Sequence, residues 1–197
     1  MPTIRLLGIS GSLRRHSANT AVLEALRARL ADQGGPVLSR FGLEEIPLFN
    51  SDLEERFPAP VQAFKEAISS SDGIVICSPE YNHGISGVLK NALDWASRPS
   101  LLTSPLKDKP ALILTAAPSL TGGARAGPQI RETLASCLAR VVPRPDVVIR
   151  RAHDKMVGGR FVDEEALSLA VQAIGDLVAE IMLLRQSRRS GKVERDH

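Results

Sequence analysis

"IRLLGISGSLRRHSANTAVLEALRARL", residues 4–30, changes its pattern twice. Thr3 to Ile9 is a short, mostly apolar run, the mark of a buried strand, and Ser10-Gly11-Ser12 closes it. From Ala18 the period lengthens. Val22, Leu26 and Leu30 recur at four-residue spacing, which predicts a helix over 18–32, with Gly34-Gly35-Pro36 as its stop. The loop between strand and helix is crowded with polar groups. Ser10, Ser12, Ser17 and Thr20 carry hydroxyls, Asn19 an amide and Arg14 a guanidinium.

The same succession repeats along the chain. Val37–Leu43 is a weaker strand, and Ile46–Pro60, with its prolines, reads as a long loop holding a short helical turn. Val61–Ser70 is helical, Gly73–Asn82 is a buried strand running into a loop, and residues 84–97 form a helix stopped by Pro99. A fourth strand (Pro110–Ser119), a Gly-rich turn, a helix (Ile130–Val141) and a fifth strand (Pro145–Arg150) follow. The last helix carries a stripe of Leu167, Val171, Ile174, Leu177 and Ile181, with acids at its start and Arg185 at its end. Five strands alternating with five helices predict an α/β domain: a doubly wound parallel sheet covered on both faces. That single domain occupies residues 1–185, and 186–197 are expected to form a flexible basic tail.

Composition sets bounds on function. In 197 residues, 43% are hydrophobic and 24% charged, ordinary values for a globular domain, while one Trp, one Tyr and five Phe leave an aliphatic core. The formal charge is +3, and the segment from Arg185 onward, with five basic and two acidic residues, carries that whole excess. A balanced body with no basic stripe of interleaved aromatics argues against nucleic acid. No leader pattern and no apolar run of membrane-spanning length are seen, so a reducing cytoplasm is expected. Cys77 and Cys137 lie far apart and read as small buried thiols. The four histidines lack metal-ligand spacing, and no GxSxG elbow is present.

Ligands of such sheets bind beyond the carboxyl ends of the strands, where strand order reverses. The first loop suits a phosphate monoester. Free N–H groups and the helix dipole meet there, Gly11 permits a tight turn, and Arg14 can bind phosphate oxygens in bidentate fashion. Neither GxxxxGK(S/T) nor GxGxxG occurs, so the nucleotide-triphosphate and dinucleotide loops are excluded. "SPEYNHG" (Ser78–Gly84), stiffened by Pro79, could lay backbone along a flat heterocycle beside Tyr81. "PSLTGGARAG" (Pro118–Gly127) reads as flexible and small enough to approach a ligand.

Together, "GISGSLRRHSANT" and "SPEYNHGISGVLKNALDW" resemble the NADPH-dependent FMN reductase family, flavodoxin-like flavoenzymes that include quinone, chromate and azo-dye reductases. The resemblance implies a five-stranded sheet of order 2-1-3-4-5 and non-covalent FMN, with NADPH or NADH as co-substrate. It implies that Ser10, Ser12, Arg14, Ser17, Asn19 and Thr20 hold the flavin phosphate. Pro79, Glu80, Tyr81 and Asn82 would support the ribityl chain and ring, with Ser119 beside the ring. Arg15 and His16 fall where family loops vary and are expected to face solvent. The implied activity is hydride transfer from NAD(P)H to FMN, then two electrons to a quinone, flavin, chromate or azo acceptor by a ping-pong scheme. No catalytic side chain and no metal are needed. Assembly as a homodimer or homotetramer through the helix over 84–97 is also implied. A flavodoxin-like electron carrier and a non-catalytic flavin-binding regulator are the competing readings. The neutral body and few aromatics weigh against the carrier.

Overall fold

The computed structural model describes residues 3–193. β1 (Arg5–Ser10) leads into α1 (Ala18–Asp32) and β2 (Val37–Phe41); a single 3₁₀ turn at Ser51–Leu53 precedes α2 (Ala59–Ser70) and β3 (Gly73–Ser78). Two short strands, β4 (Glu80–Tyr81) and β5 (Gly84–Ile85), come before α3 (Gly87–Ala96) and β6 (Pro110–Ala116). α4 (Ala126–Ser136) is followed by β7 (Arg140–Val141), β8 (Val147–Ile149), β9 (Met156–Val157), β10 (Arg160–Phe161) and α5 (Glu164–Val193).

The main sheet is parallel and runs β2-β1-β3-β6, with β7 and β8 sharing the fifth position beside β6. This is the 2-1-3-4-5 order that the family resemblance implies. Side-chain alternation along each strand decides which layer it feeds. Leu6, Val75, Leu112 and Leu114 face one side and pack with Val22 and Leu26 of α1 and Ile174 and Leu177 of α5. Leu7, Ile9, Ile74, Ile76 and Ile113 face the other and meet Phe64, Leu89, Leu93, Ile130 and Leu134 of α2, α3 and α4. Helices therefore cover both faces.

The boundaries of α1 agree with the sequence pattern, and Gly34 takes φ +63° after its end. Several boundaries differ, four of them for a clear local reason. α4 starts at Ala126 instead of Ile130, because Pro128 falls in the first turn, where no N–H is required. It stops before Val141, since Leu138 adopts φ +62° and Arg140–Val141 pair with Pro110–Ala111. The fifth strand is split: Val142–Asp146 contains Pro143 and Pro145, which cannot donate to a ladder. Gly84 and Ile85, expected in a helix, belong to β5, and the shorter α3 starts after Ser86.

Part of the expected tail is helical. Gln186, Arg188 and Arg189 tolerate helix well, and α5 continues through them to Val193; residues 194–197 lie outside the described residues. By length and composition α5 could cross a membrane. Its stripe of Leu167, Ala170, Ile174, Leu177 and Ile181 is instead buried against the sheet. Cys77 and Cys137 are free and buried, and burial pushes both thiols up.

Candidate functional site

At the carboxyl end of β1 the chain turns in close contact with the end of β3. Gly11 N–H donates to Cys77 O at 2.9 Å, and a Cβ at Gly11 would lie 2.5 Å from Ser78 Oγ and 3.0 Å from Ser86 Oγ. Only glycine fits there. Ser10 Oγ then accepts the Ser12 N–H at 3.3 Å and the Thr20 hydroxyl at 2.9 Å, while Ser12 Oγ accepts the Arg14 N–H at 3.3 Å. Ser17 caps α1, accepting the Thr20 N–H at 3.3 Å. Asn19 donates its amide to Ala116 O at 3.1 Å and accepts the Cys77 thiol at 3.4 Å, tying α1 to the ends of β3 and β6. The Arg14 guanidinium makes no hydrogen bond or ion pair with the described residues.

The second loop is a hairpin, not an irregular turn. β4 and β5 pair antiparallel, Glu80 with Ile85 and Tyr81 with Gly84. Asn82 and His83 form its two-residue turn at φ +49° and +65°, the left-handed region that matches hairpin twist. α4 holds this hairpin in place. The Arg125 N–H donates to Glu80 Oε2 at 2.9 Å, and the Arg125 guanidinium rests on His83 Nδ1. Gln129 accepts the Ile85 N–H at 3.0 Å and donates to His83 O at 3.2 Å.

The third loop, read as flexible, is tightly folded. Gly122 and Gly123 take φ +63° and +95°, and a Cβ on them would lie 2.9 Å from Arg150 N and 2.8 Å from Thr115 Cβ respectively. Both glycines let the loop sit directly on β6 and β8. Ser119 Oγ shares a 2.9 Å hydrogen bond with Thr121 Oγ1 and is exposed.

These loops enclose a cleft of about 570 Å³, in the usual range for a small-molecule site. Ser12, Arg14, Ser17 and Asn19 line one part of it, and Pro79, Glu80 and Tyr81 another. Ser10 and Thr20 lie outside this wall, joined to each other behind it. Asn82 and Ser119 are also outside the wall. The sequence reading missed one side altogether: Met156 and Gly159 of the β9–β10 hairpin. Its signal was available. "MVGGRF" places Gly-Gly between apolar residues, and Gly158 and Gly159 do take φ +56° and +80°. Among the described residues, no group of three His, Cys, Asp or Glu is placed to hold a metal ion.

The donor set fits a phosphorylated flat heterocycle. A capped helix N-terminus, with a guanidinium that has no partner among the described residues, stands beside a wall of small and apolar groups (Ala116, Pro118, Ala152) and a half-exposed Tyr81. The sequence profile of the NADPH-dependent FMN reductases matches residues 4–154. The chain belongs to that family. This FMN reductase family member is 38% identical over 184 residues to an NAD(P)H-dependent FMN reductase of Pseudomonas aeruginosa, covering 92% of this chain and 97% of the relative. It is 35% identical over 188 residues to a quinone reductase of Escherichia coli K12, covering 91% and 98%. FerB of Paracoccus denitrificans, described as a flavoenzyme NAD(P)H:(acceptor) oxidoreductase, superposes with a TM-score of 0.77 at 25% identity, covering 93% of this chain and 98% of FerB. The family member is thus an oxidoreductase that works with FMN and NAD(P)H.

Proposed function

We propose that this FMN reductase carries electrons from NAD(P)H to quinones and comparable small acceptors, with FMN seated in the cleft between α1 and the β4–β5 hairpin. One observation carries the placement: Arg14, free of any partner among the described residues, lines the cleft beside the capped start of α1. Arg14 and the Ser12 and Ser17 hydroxyls would take the phosphate oxygens, helped by the helix dipole. Asn19, in the cleft wall, and Ser10 and Thr20, outside it, would fix that loop through their own hydrogen bonds. Pro79, Glu80 and Tyr81 would border the ribityl chain and ring, with Asn82 and Ser119 at the rim.

Bound FMN would supply the redox chemistry, accepting a hydride and passing on two electrons. The side chains position and exclude; none has to act as nucleophile or base. Buried, unpaired cysteines are in keeping with a reducing cytoplasm. Assembly as a homodimer or homotetramer through the α3 side rests on the family resemblance, and sedimentation analysis tests it.

The deciding experiment is a visible absorption spectrum of the purified protein before and after anaerobic NADPH, followed by a benzoquinone. Flavin bands that bleach with NADPH and return with quinone are expected. Bands that persist with NADPH would point to an electron carrier. No bands after incubation with FMN and desalting would remove the reading.

A further inference from the structure

A second cavity adjoins the cleft proposed for FMN. It measures about 250 Å³ and lies between α1 and the β9–β10 hairpin. His16, Ser17 and Gly159 stand in the walls of both cavities, so the two are neighbours across a single loop. Arg14 lines the cleft and not the second cavity; Arg15 lines the second cavity and not the cleft. Arg160, from the hairpin, joins Arg15 there.

The charges of this cavity are out of balance. Neither Arg15 nor Arg160 makes a hydrogen bond or ion pair with the described residues. Its one carboxylate, Glu24, is already engaged by Arg27 at 2.7 Å and Arg40 at 3.2 Å. The floor is different in character. Ala21, Ala25 and Ala28 of α1 and the buried Phe161 give the cavity an apolar lining beside the two arginines. That pairing suits a phosphorylated nucleoside: a flat base or sugar on the small residues, and a phosphate between planar cations.

FMN has one phosphate, and the cleft already offers it Arg14. The remaining phosphates available to this reaction belong to the nicotinamide dinucleotide. We propose that Arg15 and Arg160 receive the 2′-phosphate of NADPH, making the second cavity the determinant of NADPH over NADH. The proposal rests on the cleft being the FMN site. The pyrophosphate is common to both dinucleotides and would confer no preference, so the two possibilities separate in kinetics.

The test uses flavin-loaded protein, with flavin occupancy read by absorbance in every variant. Wild-type protein is expected to favour NADPH and to be inhibited more strongly by 2′,5′-ADP than by 5′-ADP. In the Arg15→Ala/Arg160→Ala double variant the ratio of kcat/KM for NADPH over NADH should fall about ten-fold, chiefly through KM for NADPH, and the advantage of 2′,5′-ADP should vanish. Arg160→Lys, which keeps the charge, should retain much of the preference. A ratio that does not move, or a KM that rises equally for both dinucleotides, would overturn the proposal. Loss of flavin from the double variant would assign these arginines to FMN and overturn it too. Wild-type protein that takes up no FMN would sink the earlier reading of the cleft, a result separate from any change in nucleotide preference.

Discussion

Arg14 and Arg15 are adjacent in the chain, yet their side chains line different cavities. An arginine with no partner among the described residues can be removed at little structural cost, so its loss reports on ligand. Arg14→Ala should weaken FMN binding about ten-fold or more, the scale of one charge-assisted hydrogen bond, with the melting temperature of the flavin-free protein nearly unmoved. Fluorescence titration with FMN and thermal melts of the apoprotein check both halves. Asn19 behaves oppositely. Its amide joins Ala116 O and the Cys77 thiol in a buried setting, so Asn19→Ala leaves buried groups unsatisfied. Destabilisation of about 1–3 kcal/mol is expected in chemical denaturation, whether or not FMN is present. Composition could flag both residues as polar candidates. It could not say which was occupied by the fold, because that depends on Ala116, 97 positions away.

At the scale of elements, α4 and the β4–β5 hairpin form one working part. Arg125 and Gln129 are the connection, touching Glu80, His83 and Ile85. The Arg125 N–H bond to Glu80 comes from the backbone and survives Arg125→Ala, which removes the guanidinium that rests on His83 and lies 4.0 Å from Glu80 Oε1. Adding Gln129→Ala strips the two remaining side-chain bonds. The double variant should keep its overall secondary structure by circular dichroism while quinone turnover and FMN retention fall several-fold. Unaltered retention would show that the hairpin stands alone. The same region shows what was legible in sequence. Apolar periodicity located the sheet strands and most helices, since burial on both faces or one stripe leaves a strong pattern. Two-residue hairpins leave a weaker one. "EYNHGI" and "MVGGRF" each pack a whole hairpin into six residues, too short for any period to register. The split of the fifth strand was hidden for a related reason, as Arg140–Val141 continue the apolar rhythm of α4 before turning into the sheet.

Across the whole molecule, Asp72 ties three distant parts together at the end of the sheet opposite the cleft. Its carboxylate accepts the Arg5 N–H at 2.8 Å and meets Arg185 of α5 at 2.7 Å. Burial alone would raise its pKa, but the Arg5 N–H and the Arg185 and Lys109 charges outweigh burial and hold the carboxyl low. Asp163 is held low as well, first by the Ala166 N–H and then by Lys155. A carboxylate depressed in the folded state contributes stability in full above its unfolded value, near pH 4, and loses it as pH falls through the folded value. Melting temperature should therefore drop below about pH 4, and Asp72→Asn should flatten that acid limb while lowering stability at neutral pH. The break in the fifth strand has a consequence of another kind. A sheet margin is a template on which foreign chains can add strands and begin to aggregate. Here the margin opposite β2 is interrupted by Pro143 and Pro145, leaving β7 and β8 at two and three residues, too short and too irregular to seed a growing stack. Replacing both prolines with valine should join those pieces into one long exposed edge. The variant would then form thioflavin-positive fibrils on warming, where the parent chain stays dispersed.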